Sequence, residues 1–480
     1  MRRRRVVVLA AAGATVLLNT GCARAAPATT TSTPTATRVA TPAAAALTSR
    51  VWGRAIAVPG LAALNKGRNA EVLSVSCAAP GSCAAVGFYT DGGGHRQGFV
   101  AVEKDGRWHQ AIEVPGLGNL NKGRSAEVIS VSCASRGRCA AVGFYRNRGQ
   151  QGFVVVEKNG RWRRAVEVPG LGALDKGGNA AVNSVSCAGP GSCAAVGAYR
   201  DGGGHQQGFV VSEVNGIWGR AVEVPGLGAL NKGGSAGVSS VSCAAPGNCA
   251  AGGAYTTDAA GDRQQFVVSE TNGSWGTAQE VAANLSTGKS SYAGIDSVSC
   301  GSAGNCAAGG WYSDASGVQA FVVSEQHGVW GQAVEVPGLG FLNEGGNARV
   351  SSVSCPSAGN CSAGGTYDYG GYDAAFVVSE QNGAWGQAID VPGLRRVARE
   401  TYSISVSCAS AGNCGAGGWY DLGVFVASEK NGHWGKETTV PGALPFRAVN
   451  SVSCASASSC VAGGIYLGSG RGYAAQGFVT

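Results

Sequence analysis

Sixteen of the seventeen cysteines fall into eight Cys-x5-Cys pairs: Cys77/Cys83, Cys133/Cys139, Cys187/Cys193, Cys243/Cys249, Cys300/Cys306, Cys355/Cys361, Cys408/Cys414 and Cys454/Cys460. Thiols at one fixed spacing can hold a metal or oxidise to disulfides. Zinc sites want histidines at ligand spacing, and the five histidines (His95, His109, His205, His327, His433) are too scattered to supply them. Each pair brackets a tight turn, where facing strand residues carry Cβ atoms about 4.5–5.5 Å apart, close to what a disulfide spans. In a chain that opens with an export segment, such pairs read as eight structural disulfides, with metal kept as the minor alternative. Asp91, Asp201, Asp258 and Asp314 could be offered to calcium, although Asp beside glycine is ordinary turn chemistry. No G-x-S-x-G, H-E-x-x-H or P-loop is present, so we assign no catalytic residue, metal ligand or cofactor.

The remaining chemistry is cationic. Lys66, Lys122, Lys176 and Lys232 recur in Asn/Asp-Lys-Gly, and Glu344 stands in the same place further on. Segments 280–292, 391–403 and 440–450 break the pattern; the second carries Arg395, Arg396 and Arg399, and the third Pro445-Phe446-Arg447. One reading is a cationic arc for an acidic ligand, with these seven basic residues as ligand-binding candidates. The other is solvated lysines in a copied loop. A propeller-type glycosidase or polysaccharide lyase using channel carboxylates stays open as an alternative, and a purely structural wall protein as a third.

The elements that position these residues come from a repeat. First cysteines of successive pairs lie 56, 54, 56, 57, 55, 53 and 46 residues apart, a period that signals a propeller or an array. Residues 181–236 divide into AVNSVSC, CAAVGAY, GFVVSE and IWGRAVEV. The last two are joined across Asn215-Gly216, a hairpin signal repeated at Asn159, Asn272, Asn382 and Asn431. Three hairpins and one long connection make a four-stranded blade. The last repeat stops at Phe478-Val479-Thr480, after its third strand, whereas Val51-Trp52-Gly53 reads as a fourth strand with no third before it. The predicted fold is therefore an all-β, eight-bladed β-propeller over 50–480, closed by the N-terminal strand around Trp52. Tyr89 and Phe99, with their counterparts in the other seven repeats, read as packing between blades. The small residues after each second cysteine read as an answer to crowding near the axis.

Arg2–Arg5 precede thirteen apolar or small residues, Val6–Leu18, too few to span a membrane, so residues 1–25 read as an export signal. Gly21-Cys22 resembles a lipobox, which would lipidate Cys22 and tether the protein to the outer face of the membrane; cleavage after Ala25 is the alternative. Residues 26–49, rich in Pro, Thr and Ala, form a tether unable to bury a core. Arg2–Arg5, Arg24 and Arg38 account for six of the eight net positive charges, which leaves no footprint for nucleic acid. The 79 glycines without a three-residue period exclude collagen, and 14% charged residues exclude a long coiled coil.

The SETNGSW, SEQHGVW and SEQNGAW segments resemble the Asp-box hairpin of sialidase-type propellers, although the central Asp is missing. As a whole, 50–480 is similar to secreted actinomycete repeat proteins built on SVSCxxxGxC and FVVSExNGxW, and more loosely to HAF-type extracellular repeats. The resemblance implies a surface propeller, with no catalytic residues to carry over. The expectation is a monomeric binding module for an extracellular protein or a cell-wall glycan.

Overall fold

The computed structural model describes residues 51–258, 261–282, 284–285, 292–442, 445–468 and 474–480. Residues 1–50, on which the expected export signal, Cys22 and the expected tether fall, lie outside the described residues. The fold is the expected eight-bladed propeller, with eight separate antiparallel sheets. First strands of consecutive blades lie side by side, and that of blade eight lies beside that of blade one, so the inner ring is closed.

Blade three shows the unit. Ala181–Gly189, Ser192–Arg200 and Gln206–Val214 pair in sequence, and the Asn215-Gly216 turn leads to the fourth strand. That strand is broken into Ile217–Trp218 and Val222–Glu223, both paired on the third strand, and is not the single run IWGRAVEV. The break has a cause: Gly219 N–H turns back to the Ser212 carbonyl at 2.9 Å, and Ala221 N–H leaves the sheet for the Pro169 carbonyl at 2.7 Å. Each fourth strand is thus tied to the connection that precedes its own blade.

Closure follows the same rules. Ile56 and Ala57 pair with Val479 and Phe478 on blade eight, and Ala55 N–H donates to the Pro441 carbonyl at 2.6 Å. Trp52 itself does not pair with the third strand. That strand ends before the position that opposes the tryptophan in other blades, so Val51 and Trp52 lie beside Cys460, whose N–H donates to Val51 at 3.0 Å.

The apolar cores lie between blades. Val196 and Val210 of blade three meet Val238, Tyr255 and Phe266 of blade four, and Leu227 of the connection closes the cluster. The phenylalanines at this position, from Phe99 to Phe478, are at most 1% exposed, as packing residues should be. The glycine after Ala-Ala-Val answers a different crowding from the one expected. A Cβ on Gly197 would stand 2.0 Å from the Ala181 carbonyl. It is the bulged first strand of the same blade that excludes a side chain, not the axis.

All eight cysteine pairs are disulfides within one blade, with Cα atoms 3.9–4.0 Å apart. Such bonds suit an oxidising, extracellular environment. Their position differs from a surface turn in one respect, because the second cysteine of each pair points into the core. Cys193 and Cys249 are 6% exposed and Cys306 is 5% exposed. Cys193 packs with Ala140 and Val142 of blade two, Cys249 with Val196 and Val210 of blade three, and Cys306 with Val267 of blade four. Each disulfide therefore also fills the interface with the preceding blade. No helix among the described residues is long and apolar enough to cross a membrane.

The serines of S-V-S-C explain how the blades lock. The first strand is a sheet edge, and its outward N–H groups need acceptors. Val241 and Cys243 N–H of blade four donate to Ser184 and Ser186 hydroxyls of blade three, at 3.3 and 2.9 Å. The same two bonds recur at each interface, including Val75 and Cys77 of blade one onto Ser451 and Ser453 of blade eight, at 3.1 and 2.9 Å. Each contributes about 0.5–1.5 kcal/mol net.

A second clip lies at the third strand. Trp275 Nε1 donates to Ser212 Oγ at 3.0 Å, and that hydroxyl donates to the buried Glu270 at 2.6 Å. Trp330–Ser269–Glu325 and Trp385–Ser324–Glu380 repeat it, and Trp52 donates to Ser428 at 3.0 Å across the closing interface. Where Val102 and Val156 replace the serine, the indole N–H groups of Trp162 and Trp218 have no partner.

Candidate functional site

The connections and the second-to-third-strand loops share one face: the stems of Lys66 and Lys176 lie over Gly92 and Gly202. In Asn-Lys-Gly, however, the structural residue is the asparagine. Buried Asn121 accepts from Ser125 N–H at 2.9 Å, and donates back to blade one, to the Arg96 carbonyl at 3.1 Å and Gln97 Oε1 at 2.9 Å. Asn231 with Gln207 and Asn343 with Gln319 repeat the pair at 2.9 Å each, and Asp175 accepts from Gln151 at 2.7 Å. Lys66, Lys122, Lys176 and Lys232 follow this hub and are all exposed. Glu344 holds the equivalent exposed place before blade six, and Arg399 before blade seven.

The connection into blade seven departs from this plan. Ala398 stands where the hub asparagine belongs, and Ala374 of blade six where its glutamine partner belongs. Both polar side chains are gone, and a cleft of about 460 Å³ opens in their place. At its floor, the first residue of the first strand is Thr401 rather than the alanine found at Ala70, Ala126, Ala236, Ala293 and Ala348. Thr401 is 1% exposed, and its hydroxyl has no hydrogen-bond partner.

One wall of the cleft is the loop joining the second and third strands of blade six. Tyr369 N–H donates to the Tyr372 carbonyl at 2.8 Å and Tyr372 N–H returns the bond at 3.3 Å. Gly370 and Gly371 between them take φ of 61° and 94°, which makes this tight turn possible. The Arg395 guanidinium lies 3.6 Å from the centre of the Tyr369 ring and pairs with Asp390 at 2.9 Å. Asp390 also accepts the Tyr367 hydroxyl, so Arg395 is committed to the wall. Arg399 lines the cleft, and none of the described ion pairs engages its guanidinium. Arg396 is exposed on the same turn. Burial, and behind it the charges of Asp368 and Glu400, push the Asp373 carboxyl above the usual range.

The structure therefore divides the seven basic candidates. Four lysines and Arg399 hold equivalent exposed places; Arg395 is a wall residue and Arg396 stands apart from the cleft lining. The cysteines take no part in the cleft. Cys193, Cys249 and Cys306 are buried in oxidised pairs between blades, so their sulfurs are structural and not open to a ligand or a metal. Sequence reasoning missed Tyr369, Tyr372, Asp373 and Thr401. Aligning the repeats position by position exposes Thr401 and the two alanines, since each is an exception in its column. The histidines are not gathered: His95 and His205 face Asp91 and Asp201 in their own loops at 3.1 and 3.6 Å, and Asp91 caps Gly93 and His95 N–H of its own turn.

No protein-family description and no curated protein matches the sequence. Among solved structures, the chain is similar to Sqt1 of Chaetomium thermophilum, at 12% identity and a TM-score of 0.50, covering 83% of this chain and 94% of that one. It is also similar to a PL25 ulvan lyase (11% identity, TM-score 0.42, covering 82% and 96%). A six-bladed fucose-recognising lectin of Aleuria aurantia aligns at 11% identity and a TM-score of 0.33, covering 67% and 96%. At these identities the likeness concerns the fold alone.

Proposed function

We propose that this protein is an exported cell-surface propeller that binds an extracellular glycan or protein and performs no catalysis. The observation that carries the reading is the cleft between blades six and seven. Every other hub pair described above is filled by a hydrogen-bonded Asn or Asp and Gln, and here the copied plug is deleted and replaced by tyrosines, a free guanidinium and an orphaned buried hydroxyl. Export, lipid attachment at Cys22 and kinship with secreted actinomycete repeat proteins belong to the same reading. They are supported by the charged and apolar N-terminus and by the eight disulfides. The test is a screen of the purified protein against cell-wall polysaccharides, peptidoglycan and glycosidase or lyase substrates. Saturable binding without turnover is expected, and cleavage of any substrate overturns the reading.

A second reading concerns the arc. Lys66, Lys122, Lys176 and Lys232 occupy the same exposed place before four consecutive blades, and Arg399 extends the set. Like charges so arranged attract polyanions, and the attraction weakens within a Debye length of about 8 Å at physiological salt. Binding of an acidic wall polymer should fall as salt rises, and replacing the four lysines by Gln should remove it without lowering the thermal midpoint. Unchanged binding by that variant makes them solvated loop residues.

A further inference from the structure

We propose that the cleft between blades six and seven is a subsite for a single uncharged sugar residue, held against Tyr372 by hydrogen bonds to Asp373, from Arg399 and with the Thr401 hydroxyl. The inference rests on the binding-module reading and names the ligand of its cleft. Three independent features point to a sugar. The volume, about 460 Å³, lies within the usual range for small-molecule sites. Thr401 buries a hydroxyl that no protein atom satisfies, and such a group is costly unless a ligand supplies its partner. Tyr372, 55% exposed, presents an aromatic ring at the rim, an apolar face with a polar tip.

The charge balance selects an uncharged ligand. Arg395 is already neutralised by Asp390. Among the lining residues, what remains is one carboxylate, Asp373, and one guanidinium, Arg399; the nearby charges of Asp368 and Glu400 count further against an acidic guest. A polyol needs this mixture: an acceptor in Asp373, a donor in Arg399, and in Thr401 a group that does both. The face of a sugar ring that carries only C–H groups is then left for the tyrosine. The turn that carries both tyrosines is closed by its own backbone bonds, so this wall is preformed, and a small adjustment at the buried Thr401 brings its hydroxyl to the guest.

The decisive variant restores the copied plug, Ala374→Gln with Ala398→Asn. The side chains are those that blade pairs one/two, three/four and five/six already accommodate, so the variant is expected to fold. The full-length protein, with its disulfides formed, is titrated by calorimetry with methyl glucoside, methyl galactoside, methyl mannoside and methyl rhamnoside, and with glucuronate and galacturonate. At least one neutral glycoside should bind with a Kd of order 1 mM. The plugged variant and Tyr372→Ala should each weaken it at least tenfold, and Thr401→Ala about threefold, with the thermal midpoint of the plugged variant unchanged or raised. Equal binding by the plugged variant, stronger binding of the uronates, or no response to any neutral glycoside overturns the subsite. If the parent protein still binds a wall polymer in those cases, the module reading stands and only the subsite falls. If it binds no polymer, the glycan half of the module reading falls with it, and a protein partner is what that reading retains.

Discussion

The interface between blades five and six and the one between six and seven are made from the same repeat, yet one is sealed and the other open. The first carries Asn343 bonded to Gln319 across the interface, over Ala348. The second carries Ala398, Ala374 and Thr401 in those places, and holds a cleft. The serine clips are the same at both: Val353 and Cys355 donate to Ser297 and Ser299, and Val406 and Cys408 to Ser352 and Ser354, all at 2.9–3.0 Å. The difference teaches that the inner clips hold the ring together while the hub is a removable plug. A copied fold can therefore open a cleft by losing side chains at one interface while its inner clips stay in place.

The largest expected effect breaks the sealed interface. Asn343→Ala removes a buried side chain that bonds to Gln319, to the Val318 carbonyl and to Asn347 N–H. It should cost about 2–3 kcal/mol, because Gln319 and a backbone N–H are left without partners. Ala398→Gly at the open interface should cost about 1 kcal/mol or less. Urea denaturation of both variants reads the contrast, and equal losses would show that the hub is not what separates the two interfaces.

Next comes pH. Burial pushes the carboxyls of Glu213, Glu270, Glu325, Glu380 and Glu429 above their usual range, opposed at Glu270 by the Ser212 hydroxyl and at Glu213 by Lys158. A carboxyl whose folded pKa is raised favours the fold in its neutral form. That stability is fully present below the unfolded value near 4.3 and is lost as pH rises through the raised folded value. Glu270→Gln should therefore gain stability relative to the parent as pH rises from 4 to 7. A difference in thermal midpoint that stays flat over that range, or shrinks, contradicts the assignment.

Plugging the open interface should give a smaller gain. Ala374→Gln with Ala398→Asn adds a buried hydrogen-bonded pair and should stabilise by about 1 kcal/mol. A loss beyond 1 kcal/mol would mean that the backbone at blade seven no longer fits the plug. The smallest effect belongs to the outer clip. Val156→Ser gives the orphaned Trp218 N–H an acceptor and Glu213 a donor, and should add about 0.5 kcal/mol. A shift of the Trp218 indole proton in NMR spectra checks that the bond forms.

Much of the architecture was legible because it is periodic. Asn-Gly turns, cysteine spacing and the split repeat at Trp52 and Phe478 suffice for blade number and closure. They do so since each rests on local geometry within one blade. What crosses between blades was harder to read. The S-V-S-C serines look like filler until the next blade's N–H groups are placed opposite them. The pairing of Cys187 with Cys193 follows from spacing, whereas the burial of Cys193 against blade two does not. In Asn-Lys-Gly the charge drew attention, while the constraint lies on the asparagine. The fourth strand reads as one run because nothing in IWGRAVEV announces that Ala221 must reach Pro169. The cleft arises from two alanines and a threonine, residues that carry no signal except as exceptions to their columns.

The serine clips also have a direction. Each blade offers hydroxyls to its successor and N–H groups to its predecessor, so the two faces of a blade are complementary but not alike. Head-to-tail surfaces of this kind either close into a ring or continue into a filament, and which occurs depends on the turn made at each contact. Here the chain meets itself after eight blades, when Ser451 and Ser453 reach Val75 and Cys77. Blade number is therefore an outcome of the angle that one pair of hydroxyls and one apolar cluster impose, repeated around the circle. A chain missing one internal repeat keeps both complementary faces. It would close only by opening every contact slightly, and otherwise would offer its free face to a second copy.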